Sequence, residues 1–131
     1  MIAEETLTRI LYVEDDNDIR AVAGFALEEL GNFSVAACES GAEALACAAT
    51  FRPQLLLIDV MMPRMDGPAT LERLRALTVT ASTPVVFMTA KVQTPEITRY
   101  YELGALAVIS KPFDPMTLCD TVRSVWQQRH V

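Results

Sequence analysis

Residues 55–59, LLLID, form an apolar run that ends in a carboxylate, and residues 9–15, RILYVED, show the same pattern. Apolar runs of this length predict β-strands that are covered on both faces, as the central strands of a parallel sheet are. Parallel strands end at one edge of the sheet, and open α/β sheets bind their ligands there. Glu14, Asp15 and Asp59 should therefore meet at that edge, where three like charges are unfavourable unless a cation joins them. The pattern predicts a metal site with one carboxylate left for chemistry.

The composition limits the class of protein. The chain has 131 residues, which fits a single domain, and its 17 acidic and 11 basic residues give a net charge of −6. A nucleic-acid-binding domain usually has a basic face, so no nucleic-acid partner is expected. The N-terminus lacks the pattern of a signal peptide, and no apolar run approaches the roughly 20 residues of a membrane span. We therefore expect a cytoplasmic protein without membrane contact, in which Cys38, Cys47 and Cys119 are small core residues.

Apolar runs alternate with segments of helical period along the whole chain, which is typical of βαβ units and a parallel sheet. Ser40 and Glu43 form a capping-box pattern that starts the second helix, and Asp16 or Asn17 is the capping candidate for the first. We expect strands at about 8–14, 33–37, 54–58, 84–88 and 106–110. Helices are expected at about 17–30, from Ser40 onward, at about 67–77, at about 94–103 and from Pro115 to about 128.

Two more strands bring polar groups to the acidic edge. Strand 4 ends in Thr89 and Ala90, and strand 5 ends in Ser110 and Lys111. Mg²⁺ prefers carboxylate oxygens, water and phosphate oxygens as ligands. A carboxylate can act as the nucleophile that forms an aspartyl-phosphate, while a hydroxyl and a lysine hold the transferred group. The edge therefore has the residue types that phosphoryl transfer needs.

Four motifs resemble the receiver domain of two-component response regulators, in the right order over essentially the whole chain. They are LYVEDD (11–16), LLLIDVMMPRMDG (55–67), VVFMTA (85–90) and VISKPF (108–113). The resemblance implies a flavodoxin-like, doubly wound, five-stranded parallel sheet with strand order 2-1-3-4-5 and five helices. It also implies one receiver domain over residues 1–131, similar to stand-alone chemotaxis regulators and without an output domain.

The resemblance implies a role for each site residue. Asp59 would be the phosphoacceptor. Asp15 would bind Mg²⁺ directly, Glu14 would act mainly through a water, and the backbone carbonyl of Met61 would be the third protein ligand. Thr89, beside Ala90 in the switch segment, would bind a phosphoryl oxygen. Lys111 would pair first with Asp59 and then with the phosphoryl group, and the Lys111–Pro112 peptide bond is expected to be cis.

The resemblance also implies partners. A histidine kinase or a histidine phosphotransfer protein would donate the phosphoryl group, and a downstream protein would bind the face formed by helix 4, strand 5 and helix 5. The chain would catalyse only its own phosphorylation and dephosphorylation and would not be an enzyme for other substrates.

Alternative functions fit the sequence less well. A phosphatase with an Asp nucleophile needs a second Asp two residues on, where this chain has Met61. The five glycines form neither a GxGxxG nor a P-loop pattern, which argues against a nucleotide-binding protein. His130 is expected to be solvated, so a histidine phosphocarrier is not favoured. An unphosphorylated interaction module of receiver shape stays open.

Three positions depart from the usual receiver pattern or affect its kinetics. Val108 stands where most receivers have Tyr or Phe, and its short, stiff side chain cannot swing between two pockets. Tyr100 or Tyr101 could take the aromatic role, or could simply pack. Met61 and Lys91 would hinder the water that attacks the phosphoryl group, so slow hydrolysis is expected.

Overall fold

The computed structural model describes residues 5–129 of the chain, in which five β-strands alternate with five α-helices. The strands are β1 (Arg9–Val13), β2 (Ser34–Cys38), β3 (Leu55–Asp59), β4 (Val85–Thr89) and β5 (Ala107–Ser110). The helices are α1 (Asn17–Phe25), α2 (Gly41–Phe51), α3 (Gly67–Arg75), α4 (Thr94–Glu102) and α5 (Pro115–Gln128). The prediction for His130 lies outside the described residues.

All strand pairs are parallel, and the sheet has the order β2-β1-β3-β4-β5, which confirms the flavodoxin-like expectation. The register pairs Val13 with Ile58, Asp59 with Met88, and Thr89 with Ser110. The C-terminal ends of β1, β3, β4 and β5 are therefore level. Side chains at these ends are brought to one edge, as the sequence predicted.

Helices cover both faces of the sheet, so the central strands are buried. Every residue of β3 and β4 is buried, which explains why these strands are apolar almost throughout. On one face, α1 and α5 cover a cluster that includes Leu27, Leu118 and Val122. On the other face, α2, α3 and α4 cover a cluster that includes Leu74 and Tyr100. Each fully buried Leu of this kind stabilises the fold by roughly 1.5–3 kcal/mol relative to an exposed one.

Side-chain caps start the helices where the sequence predicted them. The Asp16 carboxylate accepts hydrogen bonds of 2.9 Å from the backbone N–H groups of Asp18 and Ile19. Ser40 Oγ accepts from the N–H of Glu43 at 3.1 Å, while the Glu43 carboxylate accepts from Glu39 rather than from Ser40. Asp16 caps α1 immediately after Glu14 and Asp15. The cap therefore fixes the backbone path at these two residues.

Two helices end differently from the prediction. The first helix changes to a π-helical turn at Ala26–Leu30, where the Gly31 N–H donates to the Ala26 carbonyl at 3.1 Å. A Cβ at Gly31 would lie 2.6 Å from Cys119 Sγ, so the close approach of α5 requires glycine there. The third helix ends at Arg75, and a 3₁₀ turn follows at Thr78–Thr80. The Arg75 guanidinium donates to the carbonyls of Thr80 and Thr83, and these hydrogen bonds hold the 3₁₀ turn in place.

Within residues 5–129, none of the helices combines the length and the apolar character needed to cross a lipid bilayer.

Candidate functional site

The three predicted acidic residues form one cluster at the C-terminal edge of the sheet. Glu14 follows β1 directly and Asp59 ends β3, and each of Glu14, Asp15 and Asp59 offers a carboxylate oxygen within 4.8 Å of the others. Glu14 and Asp59 are buried, with 0% and 2% exposure, whereas Asp15 is open to solvent. Two buried carboxylates so close to a third need a compensating positive charge.

Lys111 supplies part of that charge. Its Nζ lies 2.9 Å from Glu14 Oε1 and 3.0 Å from Asp59 Oδ1, and donates a hydrogen bond to each. The Lys111 backbone N–H donates to the Thr89 carbonyl at 2.9 Å, which fixes the start of this segment after β5. The Lys111–Pro112 peptide bond is cis. The ammonium group thus joins two of the three carboxylates.

The electrostatics of Asp59 differ from those of an ordinary aspartate. Burial, together with the charges of Glu14 and Asp15, outweighs the hydrogen bond from Lys111 and raises the pKa of Asp59 to about 7. Burial alone would lower the pKa of Lys111, but its hydrogen bonds to Glu14 and Asp59 raise it. The lysine therefore stays charged at neutral pH, while Asp59 holds its proton more tightly than a solvated aspartate does.

The cluster fits a divalent cation. Three ionised carboxylates and one ammonium leave a net charge of −2, which a divalent ion would neutralise. All the donors are hard oxygens, and the exposed Asp15 leaves one side open to the waters that Mg²⁺ retains. This is the single group of three potential metal-binding side chains found among residues 5–129.

The remaining predicted residues surround this cluster. Thr89 is fully buried at the end of β4, and its Oγ1 accepts a 3.0 Å hydrogen bond from the Lys91 N–H, so its own hydrogen remains available for donation. Ala90 is exposed beside it. Met61 lies two residues after Asp59, with a side chain that is 58% exposed. Pro112 lies next to Lys111 at the mouth of the site.

Three residues near the site were not predicted from the sequence. Arg20 of α1 donates to the Glu14 carbonyl at 2.8 Å and holds the end of β1. Gly67 packs so closely that a Cβ there would lie 2.6 Å from the Asp59 carbonyl oxygen. Tyr12 is fully buried, and its hydroxyl is the one buried side-chain oxygen or nitrogen without a hydrogen-bond partner in residues 5–129. Burial and the charges of Glu14 and Asp59 raise the pKa of this hydroxyl.

An apolar cavity of about 490 Å³ opens beside the cluster. Lys111 and Ala90 belong to its wall, so the cavity is continuous with the site. The apolar surface extends from it along α1 and the start of α5, where several large hydrophobic side chains are exposed. These are Val22, Phe25, Leu30 and Met116.

The family model for the response regulator receiver domain matches residues 10–123, which is most of the chain. The chain therefore belongs to the receiver-domain family, as the four sequence motifs predicted.

Relatives and solved structures agree with this assignment. The response regulator Rre1 of Synechocystis sp. is 36% identical over 116 residues, which cover 88% of this chain and 50% of that protein. The transcriptional regulatory protein CseB of Streptomyces coelicolor is 35% identical over 118 residues, which cover 90% of this chain and 49% of that protein. The structure of the chemotaxis protein CheY4 of Vibrio cholerae is similar with a TM-score of 0.83 and 29% identity, over 92% of this chain and 99% of that chain. The chain spans about half the length of these curated relatives.

Proposed function

We propose that this chain is a phosphorylation-driven switch, in which Asp59 accepts a phosphoryl group from a histidine of a kinase or a phosphotransfer protein. The observation that carries the proposal is the position of Asp59, which is buried at the sheet edge beside two other carboxylates and accepts a hydrogen bond from Lys111. Burial and the charges of Glu14 and Asp15 raise the pKa of Asp59 despite Lys111, which destabilises the ionised carboxylate, and perturbed carboxylates of this kind are typical of functional sites.

The side chains divide the work of phosphoryl transfer. Lys111 holds Oδ1 of Asp59 at 3.0 Å, which leaves Oδ2 to attack the phosphorus atom. The new O–P bond forms as the P–N bond of the phosphohistidine breaks, and the imidazole leaves with the electron pair of that bond. The Thr89 hydroxyl and the Lys111 ammonium would then hold oxygens of the transferred group.

Glu14, Asp15 and Asp59, with the Met61 carbonyl, would hold Mg²⁺. The bound ion would neutralise charge on the phosphoryl oxygens and favour the ionised form of Asp59. Arg20 contributes indirectly, because its hydrogen bond to the Glu14 carbonyl keeps the acidic pair at the edge.

The donor protein must reach the same edge. The apolar cavity beside Lys111 and the exposed hydrophobic side chains of α1 offer it a surface next to the acceptor. A downstream protein would bind the face formed by α4, β5 and α5, on the side of α5 away from α1. There Tyr101, Leu106 and Val125 line a cavity of about 610 Å³. We place these reactions in the cytoplasm, where receiver domains meet their kinases.

Two finer predictions stay predictions. The first is that the chain acts without an output domain. The curated relatives are about twice as long as the matched region, so they contain further residues outside it. The absence of a nucleic-acid partner is the other, because the matched relatives include the DNA-binding response regulator MtrA of Mycobacterium leprae.

Intact-mass spectrometry after incubation with acetyl phosphate and Mg²⁺ tests the proposal. The parent and an Asp120→Asn control, changed at an exposed position of α5, should each gain one phosphoryl group, and Asp59→Asn should gain none. If the parent gains no phosphoryl group although it binds Mg²⁺, the chain is a phosphorylation-independent interaction module instead. A gain in Asp59→Asn would assign the acceptor to another residue.

A further inference from the structure

Two of the three cysteines contact each other. Cys38 is the last residue of β2, Cys47 lies in α2, and their Sγ atoms are 3.6 Å apart. Cys119 lies in the core cluster on the other face of the sheet, where its Sγ donates to the Ala26 carbonyl at 3.2 Å. The sequence predicted that all three cysteines are small core residues and did not predict a contact between any two of them. The fold instead forms one thiol pair and one isolated thiol.

We propose that Cys38 and Cys47 form an oxidation site at which a hydroperoxide converts the two thiols into a disulfide. A disulfide requires the sulfur atoms to approach to about 2.05 Å, so they must close by about 1.5 Å from contact. The other hydrogen bonds of these sulfurs are weak. Cys38 Sγ lies 3.9 Å from the Ala36 carbonyl, and Cys47 Sγ lies 3.6 Å from the Ala44 carbonyl. Little is therefore lost when the side chains turn toward each other.

The exposure of the two sulfurs sets the order of the steps. Cys47 is half-buried, whereas Cys38 is 2% exposed and burial raises the pKa of its thiol. Cys47 therefore meets the oxidant first and Cys38 acts second. This division matches the usual pairing of an accessible cysteine with a resolving cysteine beside it.

The chemistry balances in two steps. Cys47 sulfur attacks the peroxide oxygen that carries hydrogen, the S–O bond forms and the O–O bond breaks. The departing oxygen takes the electron pair of that bond and the Cys47 proton and leaves as water or alcohol, which gives a sulfenic acid. Cys38 sulfur then attacks Cys47 sulfur, the S–S bond forms, and the S–O bond breaks. The hydroxide leaves as water with the proton of Cys38. Two thiols lose two electrons and two protons in total, and the peroxide is reduced.

The pair lies close to the acidic cluster. The carbonyl of Cys38 accepts a 3.0 Å hydrogen bond from the backbone N–H of Glu14. A disulfide would link the end of β2 to α2. Its Cys38 end would then lie at the residue whose carbonyl accepts the hydrogen bond from Glu14 of the acidic cluster. The oxidation site is nonetheless independent of the proposed function, since its formation needs neither Mg²⁺ nor phosphate.

The test uses the full chain and hydrogen peroxide. After treatment, the protein is unfolded at acid pH, labelled with a maleimide and weighed intact. The reduced parent should take three labels. The oxidised parent should be lighter by two hydrogen atoms before labelling, should take one label, and should yield a linked peptide pair that contains Cys38 and Cys47. Dithiothreitol should restore all three labels.

Variants separate the proposed pair from other chemistry. Cys119→Ala should still lose two labels, whereas Cys38→Ala and Cys47→Ser should form no internal bond. Cys47→Ser keeps the test valid if Cys38→Ala fails to fold, because Cys47 is only half-buried. Three labels after peroxide, a bond that includes Cys119, or a linked dimer in place of the internal bond would each overturn the proposal.

Discussion

Replacement of Asp59 by Asn should stabilise the protein when no Mg²⁺ is present. The pKa of Asp59 is raised from an ordinary 3.8 to about 7, chiefly by burial. Between these two values the folded protein binds a proton that the unfolded chain has released. The free energy of unfolding therefore falls as pH rises from 3.8 to about 7, and the whole penalty is present above that range. Asn has no charge to bury, so the variant escapes this penalty.

The size of the effect follows from the pKa. Each tenfold change in proton affinity corresponds to about 1.4 kcal/mol, so the rise from 3.8 to about 7 corresponds to at most about 4 kcal/mol. The variant also exchanges a charged hydrogen bond from Lys111 for a neutral one, which costs about 1 kcal/mol or more. We expect a net gain of about 1–3 kcal/mol at pH 8 in EDTA.

Urea unfolding at several pH values measures the effect. The gain should shrink as pH falls toward 5, since Asp59 is then protonated in the folded parent. It should also shrink at pH 8 when Mg²⁺ is added, because the ion stabilises the parent more than the variant. Asp120→Asn, at an exposed position of α5, is the control and should change stability by less than about 0.5 kcal/mol. A variant less stable than the parent at pH 8 in EDTA would refute this account of the site.

Three further changes probe the surroundings of Asp59. Lys111→Met leaves the two buried carboxylates of Glu14 and Asp59 without their cation, and Glu14 keeps only the 3.3 Å hydrogen bond from the Asp16 N–H. Urea unfolding in EDTA should therefore show a loss of about 3 kcal/mol, and Mg²⁺ should recover part of it; a loss below about 1 kcal/mol would contradict the geometry. Tyr12→Phe removes a buried hydroxyl that has no partner, so stability should rise by up to about 1 kcal/mol, whereas a clear loss would reveal a bound water. Met61→Asn combined with Lys91→Ala should speed the loss of the phosphoryl mass over time, and an unchanged rate would exclude shielding of the phosphoryl group by these side chains.

Local sequence patterns predicted the elements of the fold well. Strand positions agree to within about one residue, because the central strands are apolar throughout and are bounded by turn and cap residues. The strand order required the family resemblance, since no local pattern states which strands are neighbours. The π-helical turn at Ala26–Leu30 could not be predicted. It lies where Cys119 of α5, far along the chain, approaches Gly31 and donates to the Ala26 carbonyl at 3.2 Å.

The site residues also divide into those that local sequence patterns predict and those that only the packing of the fold brings together. Glu14, Asp15 and Asp59 could be assigned because each lies at or just after the end of an apolar strand, and a parallel sheet brings such ends together. The contact of Arg20 with the Glu14 carbonyl and the contact of Cys38 with Cys47 depend on how helices pack on the sheet. No spacing rule in one sequence reveals such contacts.

Val108 bears on how phosphorylation could reach the face formed by α4, β5 and α5, where a downstream protein is proposed to bind. Val108 is half-buried against the core and cannot swing. Tyr100 is 3% exposed and packs on Phe87 with ring centroids 5.5 Å apart, so it serves the core, while Tyr101 is 48% exposed beside the cavity between α4 and α5. Tyr101 is thus the one of the two tyrosines placed to contact a partner.

The segment after Thr89 offers a route that needs no aromatic side chain. The Lys91 N–H bonds to Thr89 Oγ1 at 3.0 Å, which links the hydroxyl directly to the exposed segment 90–93 that leads into α4. Gln93, the N-cap of α4, makes no side-chain capping hydrogen bond. If the Thr89 side chain rotates so that Oγ1 itself moves toward a phosphoryl oxygen, the Lys91 N–H loses its acceptor, and the cost of that lost hydrogen bond falls on this exposed segment rather than on the core. We therefore expect amide hydrogen exchange at Lys91 and the first turn of α4 to change on phosphorylation, while exchange at Val108 stays constant.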